Sequence, residues 1–309
     1  MRLPHWTAAI AAACIVAAPA LGWNSTGHRI IAAIAYERLT PRARARVDEI
    51  LRHHPDYATL LTRGAPSDDE GRARDAFLVA ATWPDVIKGD RRFYDDTRKD
   101  AVPTPALPGF PDMARHTNWH YIDIPYAPDG AEPEPTPAIN ALVELRRMLP
   151  EMSSAGADPV VAAYDLSWVE HLIGDLAQPL HVTSRFLLSQ PKGDAGGNGV
   201  YVSPGRNLHS YWDDLAGTDQ SDEYVIRLAH EIAAEHPVDH RISKNPKKWI
   251  AESFRLDKTD VYSFGLTSGS REHPIELAGN YQETAHRIAR AQIALAGYRL
   301  AAILNAQLR

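Results

Sequence analysis

The sequence predicts an all-α fold: a single, mainly helical domain with a few short strands and long loops rich in proline and glycine. Most of the chain after residue 22 divides into runs with apolar residues at helical spacing, and these runs begin at polar capping residues or prolines. Only two short stretches favour extended structure. No internal repeat or separating linker interrupts residues 23–309, so we expect one domain there.

The N-terminal segment has the pattern of a secretory signal peptide. Arg2 gives a positive start, residues 7–19 form an apolar run, and small residues flank Leu21 at positions 20 and 22. An uncleaved membrane anchor is the alternative, but the run is too short for one, and no later stretch approaches about 18 uninterrupted apolar residues. We therefore expect residues 1–22 to be removed between Gly22 and Trp23, leaving a secreted or periplasmic protein.

Composition limits the chemistry of this domain. Hydrophobic residues make up 44% and charged residues 23% of the chain, and the net charge is -6. This net charge argues against a surface that binds polyanions in general. An anionic substrate would therefore require local positive charge such as a metal ion. The one cysteine, Cys14, lies in the predicted signal, which leaves nitrogen and oxygen atoms as metal ligands.

In the first half of the chain, helices are predicted from their capping residues. Asn24 precedes an apolar-periodic run that extends to Leu39, and Thr40-Pro41 opens a second helix toward Leu51. A third helix is predicted over residues 69–83, ended by Pro84. That assignment leaves Asp85 immediately after a helix end.

The middle of the chain is predicted to be less regular. Proline-rich loops cover residues 98–112 and 125–137. Between them, residues 119–124 are predicted to be extended, with Tyr121 and Asp123 on one side and His120 on the other. Thr136-Pro137 is predicted to open a helix that runs to Leu149.

The central helix is predicted to begin at Asp158-Pro159 and to carry His171 and Asp175 on one face. It is apolar nearly all round, which indicates burial, and a buried carboxylate has to be paired or metal-bound. Gln178 would continue the same face, and Pro179 predicts a kink or an end. His181 would then point along a different axis.

The remaining elements follow the same signals. Residues 189–204 are rich in glycine and proline and contain a short predicted strand at 200–202. Asn207 can cap a helix that carries His209 and Asp213, again four residues apart. Further helices are predicted over residues 222–235, after Asn245-Pro246, and over 281–308.

The candidate metal ligands share positions on apolar helix faces or at element ends. They are the Trp23 amine, His28, Asp85, His120, His171, Asp175, His181, His209 and Asp213. Imidazole and carboxylate groups are ligands that suit zinc.

Together these residues resemble a known family. The chain is similar to the secreted, zinc-dependent, single-strand-specific nucleases of the S1/P1 type, which share their helical fold with the bacterial trinuclear-zinc phospholipases C. The matching pieces occur in the family's order and span most of residues 23–309: Trp23 to His28, Trp83-Pro84-Asp85, His120-Tyr121-Ile122-Asp123, His171 to His181, Gly196-Gly197-Asn198, and Asn207 to Asp213.

The resemblance implies three Zn²⁺ ions as cofactors. It assigns Asp85, His120 and His171 to the first ion; the Trp23 amine and carbonyl with His28 to the second, with Asp175 bridging it to the first; and His181, His209 and Asp213 to the third. Because a free amine exists only after cleavage before Trp23, removal of the signal would be needed to complete the site.

The resemblance also implies roles in catalysis and substrate binding. The zinc ions would lower the pKa of a water and bind phosphate oxygens. Lys88 would stabilise charge in the transition state alongside the bridging Asp175. Tyr121 would stack on a base, Asp123 would accept from base N–H groups, and Asn198 would contact base or phosphate. The structural alternatives are that Lys88 is a solvated lysine and that Tyr121 packs in the core.

The function implied is hydrolysis of single-stranded DNA and RNA to 5′-phosphate products, with 3′-nucleotidase activity as a further expectation. A zinc-dependent phospholipase C on the same fold is the first alternative, although Asp123 and Asp213 favour the nuclease. A non-catalytic periplasmic zinc-binding protein is the second. The expected partners are single-stranded nucleic acid and nucleotides, with phospholipid as a further candidate; we expect a monomer without an obligate protein partner.

Overall fold

The computed structural model describes residues 22–154, 156–238 and 242–309. The predicted signal peptide, apart from Gly22, lies outside these residues. The mainly helical fold class is confirmed. The helices are α1 (Ser25–Tyr36), α2 (Pro41–Leu51), α3 (Asp69–Ala80), α4 (Trp83–Gly89), α5 (Ala141–Met152), α6 (Pro159–Asp175), α7 (Leu208–Asp213), α8 (Asp222–Glu235), α9 (Pro246–Leu256) and α10 (Gly279–Gln307).

In the part of the chain that the structure describes, four short strands form two small pairs. β1 (Ile124–Tyr126) pairs in parallel with β2 (Thr183–Arg185), and β3 (Tyr201–Val202) pairs antiparallel with β4 (Arg206–Asn207). Both pairs lie beside chain segments that carry candidate ligands, so they serve as local braces. None of the helices in the described ranges combines the length and apolar character needed to cross a membrane.

Caps expected from the sequence begin five of the ten α-helices in the described residues. In each case a polar side chain accepts a hydrogen bond from an amide of the first turn, which satisfies a donor that the helix cannot. The caps that match their predictions are Asn24, Thr40, Asp158, Asn207 and Asn245.

Helix α6 lies at the centre of the molecule. Its residues from Ala162 to Asp175 are all buried. It packs chiefly against α5, with further contacts to α2, α4 and α10, while α1 packs against α10, α8 and α3. An all-round apolar helix is stable only where neighbours cover every face, and here they also enclose its polar residues.

The predicted helix over residues 69–83 is wrong at its C-terminal end. α3 stops at Ala80, and Trp83 begins a new helix with Pro84 in its first turn. Proline fits there because a first-turn amide needs no intrahelical acceptor. Asp85 is therefore in the first turn of α4 rather than after a helix end.

The predicted extended segment over residues 119–124 is also largely wrong. Thr117–Trp119 forms a 3₁₀ turn, and regular strand structure begins only at Ile124. Asp123 has a φ of 56°, in the left-handed region, so the side chains do not alternate along an extended strand. The segment still runs beside β2, because the amides of Ile122 and Ile124 donate to the carbonyls of His181 and Val182.

Two further boundaries differ from prediction. α5 begins at Ala141 because the side chain of Asn140 caps it, which outweighs the Thr136-Pro137 signal, and it continues past Pro150. α6 ends at Asp175, so Gln178 does not extend its face. The ring of Pro179 would clash with the carbonyl four residues earlier, which explains an end at that position.

Candidate metal centre

The structure brings eight predicted side-chain ligands into three adjoining clusters. In each cluster the potential ligand atoms lie within 4.8 Å of one another. The clusters are His28, His171 and Asp175; Asp85, His120 and His171; and His181, His209 and Asp213. The structure thus brings these eight side chains together, with His171 shared between two of the clusters.

The first two clusters share His171 and form a continuous group around the end of α6. The Nδ1 of His120 lies 2.9 Å from the Nε2 of His171, and both nitrogens lie 3.7 Å from the Oδ1 of Asp85. The ring of His28 stacks on that of His171 with centroids 3.9 Å apart. Four elements therefore meet here: α1, α4, α6 and the turn before β1.

Asp175 is the carboxylate at the centre of this group. Its Oδ2 lies 3.1 Å from the Nε2 of His171 and 3.2 Å from the Nδ1 of His120. Its Oδ1 lies 3.4 Å from the Nε2 of His28 and 3.5 Å from the Nδ1 of His181, and accepts no hydrogen bond among the described residues. A buried carboxylate oxygen without a donor is suited to a cation.

The third cluster lies where the turn after α6 meets α7. The Nε2 atoms of His181 and His209 are 3.1 Å apart, and the Nε2 of His209 is 3.6 Å from the Oδ2 of Asp213. The other oxygen of Asp213 accepts a hydrogen bond of 2.8 Å from the amide of Gln178. His181 also approaches Asp175, so the third cluster adjoins the first two.

Three of the histidines are held by main-chain carbonyls. The Nδ1 atoms of His171, His181 and His209 lie 2.8, 2.6 and 2.6 Å from carbonyl oxygens. The acceptors belong to Ala81, His120 and Gly196, in that order. These contacts assign the proton to Nδ1 and leave the Nε2 lone pair directed into the cluster, which is the arrangement of metal-binding histidines.

This assignment makes the third cluster fit a metal ion. With both Nδ1 atoms protonated, His181 and His209 present two acceptor nitrogens to each other at 3.1 Å. Two lone pairs at that separation repel, whereas a shared cation would bind both. The donor set of imidazole nitrogens and carboxylate oxygens suits zinc.

Gly196 is needed for one of these contacts. Its φ is +61°, and a Cβ there would lie 2.4 Å from the carbonyl oxygen of Leu180. Only glycine adopts this conformation without strain and allows the close approach. The Gly-Gly-Asn motif therefore has a defined role, which is to present the Gly196 carbonyl to His209.

Burial is the largest single influence on the pKa values of the site, although neighbouring charges together outweigh it at the carboxylates Asp175 and Asp85. It lowers the pKa of His28 to about 4 and, reinforced by Lys88, that of His120 to about 3. Burial disfavours the charge of Asp175, but the surrounding histidines outweigh it and hold the pKa of that carboxyl well below its usual range. Neutral imidazoles and an ionised carboxylate are the states in which these groups bind metal.

Lys88 lies at the edge of the cluster formed by Asp85, His120 and His171 and is not a solvated lysine. It is buried in the last turn of α4, and its Nζ lies 2.7 Å from the Oδ1 of Asp85. Burial disfavours the charge of Asp85, yet Lys88 together with His171, His120 and His28 outweighs it and lowers the pKa of that carboxyl. A cavity of about 370 Å³ reaches the cluster on this side, lined by Asp85, Val86 and the first turn of α1.

The N-terminal segment reaches the cluster that contains Asp175. Trp23 is fully buried, and the amide of the next residue donates to the carbonyl of Asp213. A Cβ at Gly22 would lie 1.9 Å from the Oδ1 of Asp175 and 3.1 Å from the Cε1 of His181. The main chain on the N-terminal side of Trp23 thus lies against the carboxylate of Asp175. The amine of Trp23, once freed by cleavage, would therefore lie beside the other candidate ligands.

The predicted base-binding residues adjoin the candidate metal clusters but are less closely grouped than the candidate ligands. Tyr121 and Asp123 are half-buried and follow His120 directly. Burial, with the charge of Asp194, raises the pKa of Asp123 to about 6. The amide of Asn198 donates to the carbonyl of Ala195 and accepts from Asn207, which ties it to the cap of α7.

Two contributors escaped sequence reasoning. Gln178 was expected on the ligand face of a helix, whereas it orients Asp213 from the following turn. His116 was not singled out at all, although it binds the carboxylates of Asp96 and Asp112 beside the cluster. The four-residue spacing between Asp112 and His116 was the available signal.

Comparison with known proteins gives a consistent result. The family model described as S1/P1 Nuclease matches residues 23–309. Nuclease S1 of Aspergillus oryzae is 24% identical over 333 aligned residues, covering 98% of each protein. Endonuclease 2 of Arabidopsis thaliana is 25% identical, covering 94% of this chain and 92% of its own length, and Endonuclease 1 of the same plant is 24% identical, covering 74% and 79%.

Proposed function

The chain belongs to the S1/P1 nuclease family, and we propose that its mature form is a trinuclear zinc phosphodiesterase that cleaves single-stranded DNA and RNA to products with 5′-phosphates. A 3′-nucleotidase activity at the same site is part of the proposal. The observation that carries it is the arrangement of three ligand clusters that meet at Asp175.

The ligand roles proposed for zinc follow the three clusters. Asp85, His120 and His171 would hold the first ion, with Asp175 shared with the second. His28 and the freed amine and carbonyl of Trp23 would complete the second ion's ligands, since the main chain before Trp23 lies against Asp175. The third ion would be held by His181, His209 and Asp213.

When bound, the zinc ions supply a water of lowered pKa and electrostatic binding of the phosphate oxygens. The protein supports this chemistry with residues that need not move. Carbonyl contacts fix the rings of His171, His181 and His209, and Lys88 offers a buried positive charge beside Asp85. Such fixed charges stabilise negative charge that develops on phosphate without reorganisation during the reaction.

Preference for single strands would come from the segment after His120. Tyr121 offers a ring for stacking and Asp123 a carboxylate for base N–H groups, both on main chain that is bonded to β2. Stacking on an aromatic contributes about 1–3 kcal/mol per base and requires an unpaired base. A duplex would have to open before this site could be used.

The proposal is tested with mature, zinc-loaded protein. Hydrolysis of single-stranded DNA, RNA, duplex DNA, 3′-AMP and phosphatidylcholine would be compared with and without chelator. We expect chelator-sensitive turnover of single strands well above that of duplex. Turnover confined to phosphatidylcholine would instead establish the phospholipase alternative, and zinc binding without any turnover would establish a zinc-binding protein.

The base-binding residues need a separate variant. A Tyr121→Ala, Asp123→Ala double variant should lose nucleotide turnover by about 10²-fold, since a stacking contact and a base hydrogen bond are both removed. It should keep its zinc, because neither residue is a proposed ligand. Unchanged kinetics on single-stranded DNA would remove these two residues from the site.

The proposed setting is extracellular or periplasmic, because cleavage between Gly22 and Trp23 would both remove the signal and expose the amine. We also propose a monomer, since all eight side-chain ligands come from one chain. N-terminal sequencing of protein recovered from the periplasm or medium, with its mass in solution, checks both points. A mature terminus at any other residue would contradict the assignment.

A further inference from the structure

A partly buried histidine outside the candidate metal clusters is held between two carboxylates. The Nε2 of His116 lies 3.0 Å from the Oδ1 of Asp112, and its Nδ1 lies 3.4 Å from the Oδ2 of Asp96. Its side chain is 12% exposed. Only a protonated imidazole can donate from both ring nitrogens, so this geometry suits a cation between two anions. We call Asp96, His116 and Asp112 the carboxylate clamp.

The clamp closes a long proline-rich loop at its base. Asp96 and Asp112 flank residues 97–111, and the amide of Tyr94 donates to the carbonyl of Met113 just outside them. Asp96 also accepts from the main-chain amide of His116 at 2.9 Å. His116 has a φ of 49° and a ψ of 42°, so the chain turns sharply at the residue that the clamp fixes.

Aromatic contacts connect the clamp to the metal cluster. The ring of His116 stacks on Trp119 with centroids 3.5 Å apart and planes 7° apart. Trp119 meets Trp168 edge to face at 4.9 Å, and Trp168 in turn lies 5.2 Å from the ring of His120. The same short turn runs from His116 through Trp119 into His120 and Tyr121.

The neighbouring elements add few charges to this environment. From α5, the guanidinium of Arg147 lies 5.5 Å from the ring centroid of Trp119 and is itself paired with Glu144 and Glu151. α6 contributes Trp168 and Tyr164, and burial together with the charge of Asp112 raises the pKa of Tyr164. The charged groups in direct contact with His116 are therefore Asp96 and Asp112.

From this geometry we propose that the carboxylate clamp is a positioning device for substrate binding: it holds Trp119, and through it the turn that presents Tyr121, in the productive position. His116 does not touch substrate or metal in this proposal. The inference rests on the proposed nuclease function, because it concerns the base-binding part of that site.

The clamp should open as pH rises. Burial opposes the charge of His116, but the hydrogen bonds and charges of Asp112 and Asp96 outweigh burial and raise the pKa above the usual 6.5. The doubly bound cation is therefore present below this raised pKa and is lost as pH rises through it. KM for a single-stranded substrate should then increase on the alkaline side, while kcat changes less, because binding geometry rather than the metal centre is affected.

The test compares wild type with His116→Asn and the matched control His230→Asn. Asparagine tolerates the left-handed backbone but cannot bridge two carboxylates. His230 is an exposed histidine on α8 that also pairs with one carboxylate, Glu37. We expect His116→Asn to show about tenfold higher KM on a single-stranded oligonucleotide near pH 6.5, a nearly pH-independent KM above that pH, and unchanged zinc content. The control should follow wild type.

A second variant and a readout without catalysis complete the design. Asp112→Asn removes one anion, so the pH at which KM rises should shift downward by about one unit. Trypsin at a single pH near 7 should cut after the exposed Arg98 or Lys99 several-fold faster in His116→Asn than in the control, because the loop base is freed.

Three outcomes would overturn the clamp: a pH profile of KM in His116→Asn that matches wild type, an unshifted midpoint in Asp112→Asn, or equal trypsin rates. Failure of wild type to hydrolyse single strands would refute the proposed function instead. The trypsin comparison would still decide whether the clamp holds the loop.

Discussion

Two His-x-x-x-Asp pairs on two helices build different halves of the candidate metal centre. In α6, His171 and Asp175 are fully buried, and Asp175 lies within 3.5 Å of four histidines. In α7, His209 and Asp213 have the same spacing, but Asp213 is contacted mainly by His209 and Gln178. The same local motif therefore gives two carboxylates with different surroundings.

The difference appears in their protonation. Neighbouring histidines outweigh the burial of Asp175 and hold its pKa well below the usual range. Burial raises the pKa of Asp213 well above it, because the hydrogen bond from Gln178 only partly compensates and nearby carboxylates add repulsion. Spacing on a helix thus predicts which side chains meet, whereas the partners brought by other elements decide which carboxylate is charged before a metal binds.

The largest expected effect is at the α6 pair. Asp175→Asn keeps the shape of the side chain but removes the shared negative charge between two clusters. We expect loss of about two of the three proposed zinc ions and a fall in kcat/KM of about 10³-fold or more. Metal analysis of purified protein, with kinetics on single-stranded DNA, measures both. Asp213→Asn should lose about one ion, and equal losses in the two variants would remove the distinction between the pairs.

The next effect concerns the N-terminus, which lies against Asp175. A chain that retains Gly22 and a short tag before it cannot offer the Trp23 amine. We expect one zinc ion fewer and about 10²-fold lower activity than the mature form. The same tag at the C-terminus is the control. Full metal content and activity in the N-terminally extended chain would show that the free amine is not a ligand.

A smaller effect is expected on the thermal stability of Asp213→Asn, and its sign depends on whether zinc is present. The folded-state pKa of Asp213 is raised, so the stability contributed by its protonated form is present at low pH and is lost as pH rises through that pKa. In chelator at pH 8, Asp213→Asn should therefore unfold about 2–6 °C higher than wild type, because an uncompensated buried charge is gone. With zinc the order should reverse, since a ligand is lost. Thermal unfolding under both conditions decides; a variant less stable in chelator contradicts the raised pKa.

The smallest effect is expected at Gln178, which orients Asp213 without being a proposed ligand. Gln178→Leu should weaken the third proposed ion by about 10–100-fold, the usual cost of losing a partner that orients a metal ligand. Competition with a chromophoric chelator measures it. Gln292→Leu is a matched control, because Gln292 is also buried but donates to the carbonyl of Ala177. Equal metal affinities in the two variants would mean that Asp213 needs no orientation.

Sequence reasoning succeeded where local rules decide position. Residues four apart on capped helices share a face, which placed His171 with Asp175 and His209 with Asp213. The grouping of these pairs with His28 and Asp85 came from family resemblance, since spacing alone cannot bring distant elements together. The structure places them together as that resemblance implies.

It failed where distant contacts decide local structure. The left-handed turn at Asp123 disrupts a pattern that looks regular in the sequence, whereas Pro179 did predict a kink or an end of α6, which comes at Asp175, before Gln178. The break between α3 and α4 was missed because Pro84 was interpreted as an end rather than a first-turn residue. His116 had no apolar-periodic context, since both of its partners lie in an irregular loop.

The main-chain carbonyls that hold three of the histidines have a consequence for sequence divergence. Every amino acid supplies a carbonyl, so the partner of His171 at position 81 survives any substitution that leaves the backbone in place. Position 196 is restricted, because its positive φ and the close Leu180 carbonyl require glycine, and position 120 is restricted because His120 is itself a candidate ligand. The side chains of such a protein can diverge, as its 24% identity with nuclease S1 of Aspergillus oryzae illustrates, without altering the main-chain contacts that orient its own imidazoles.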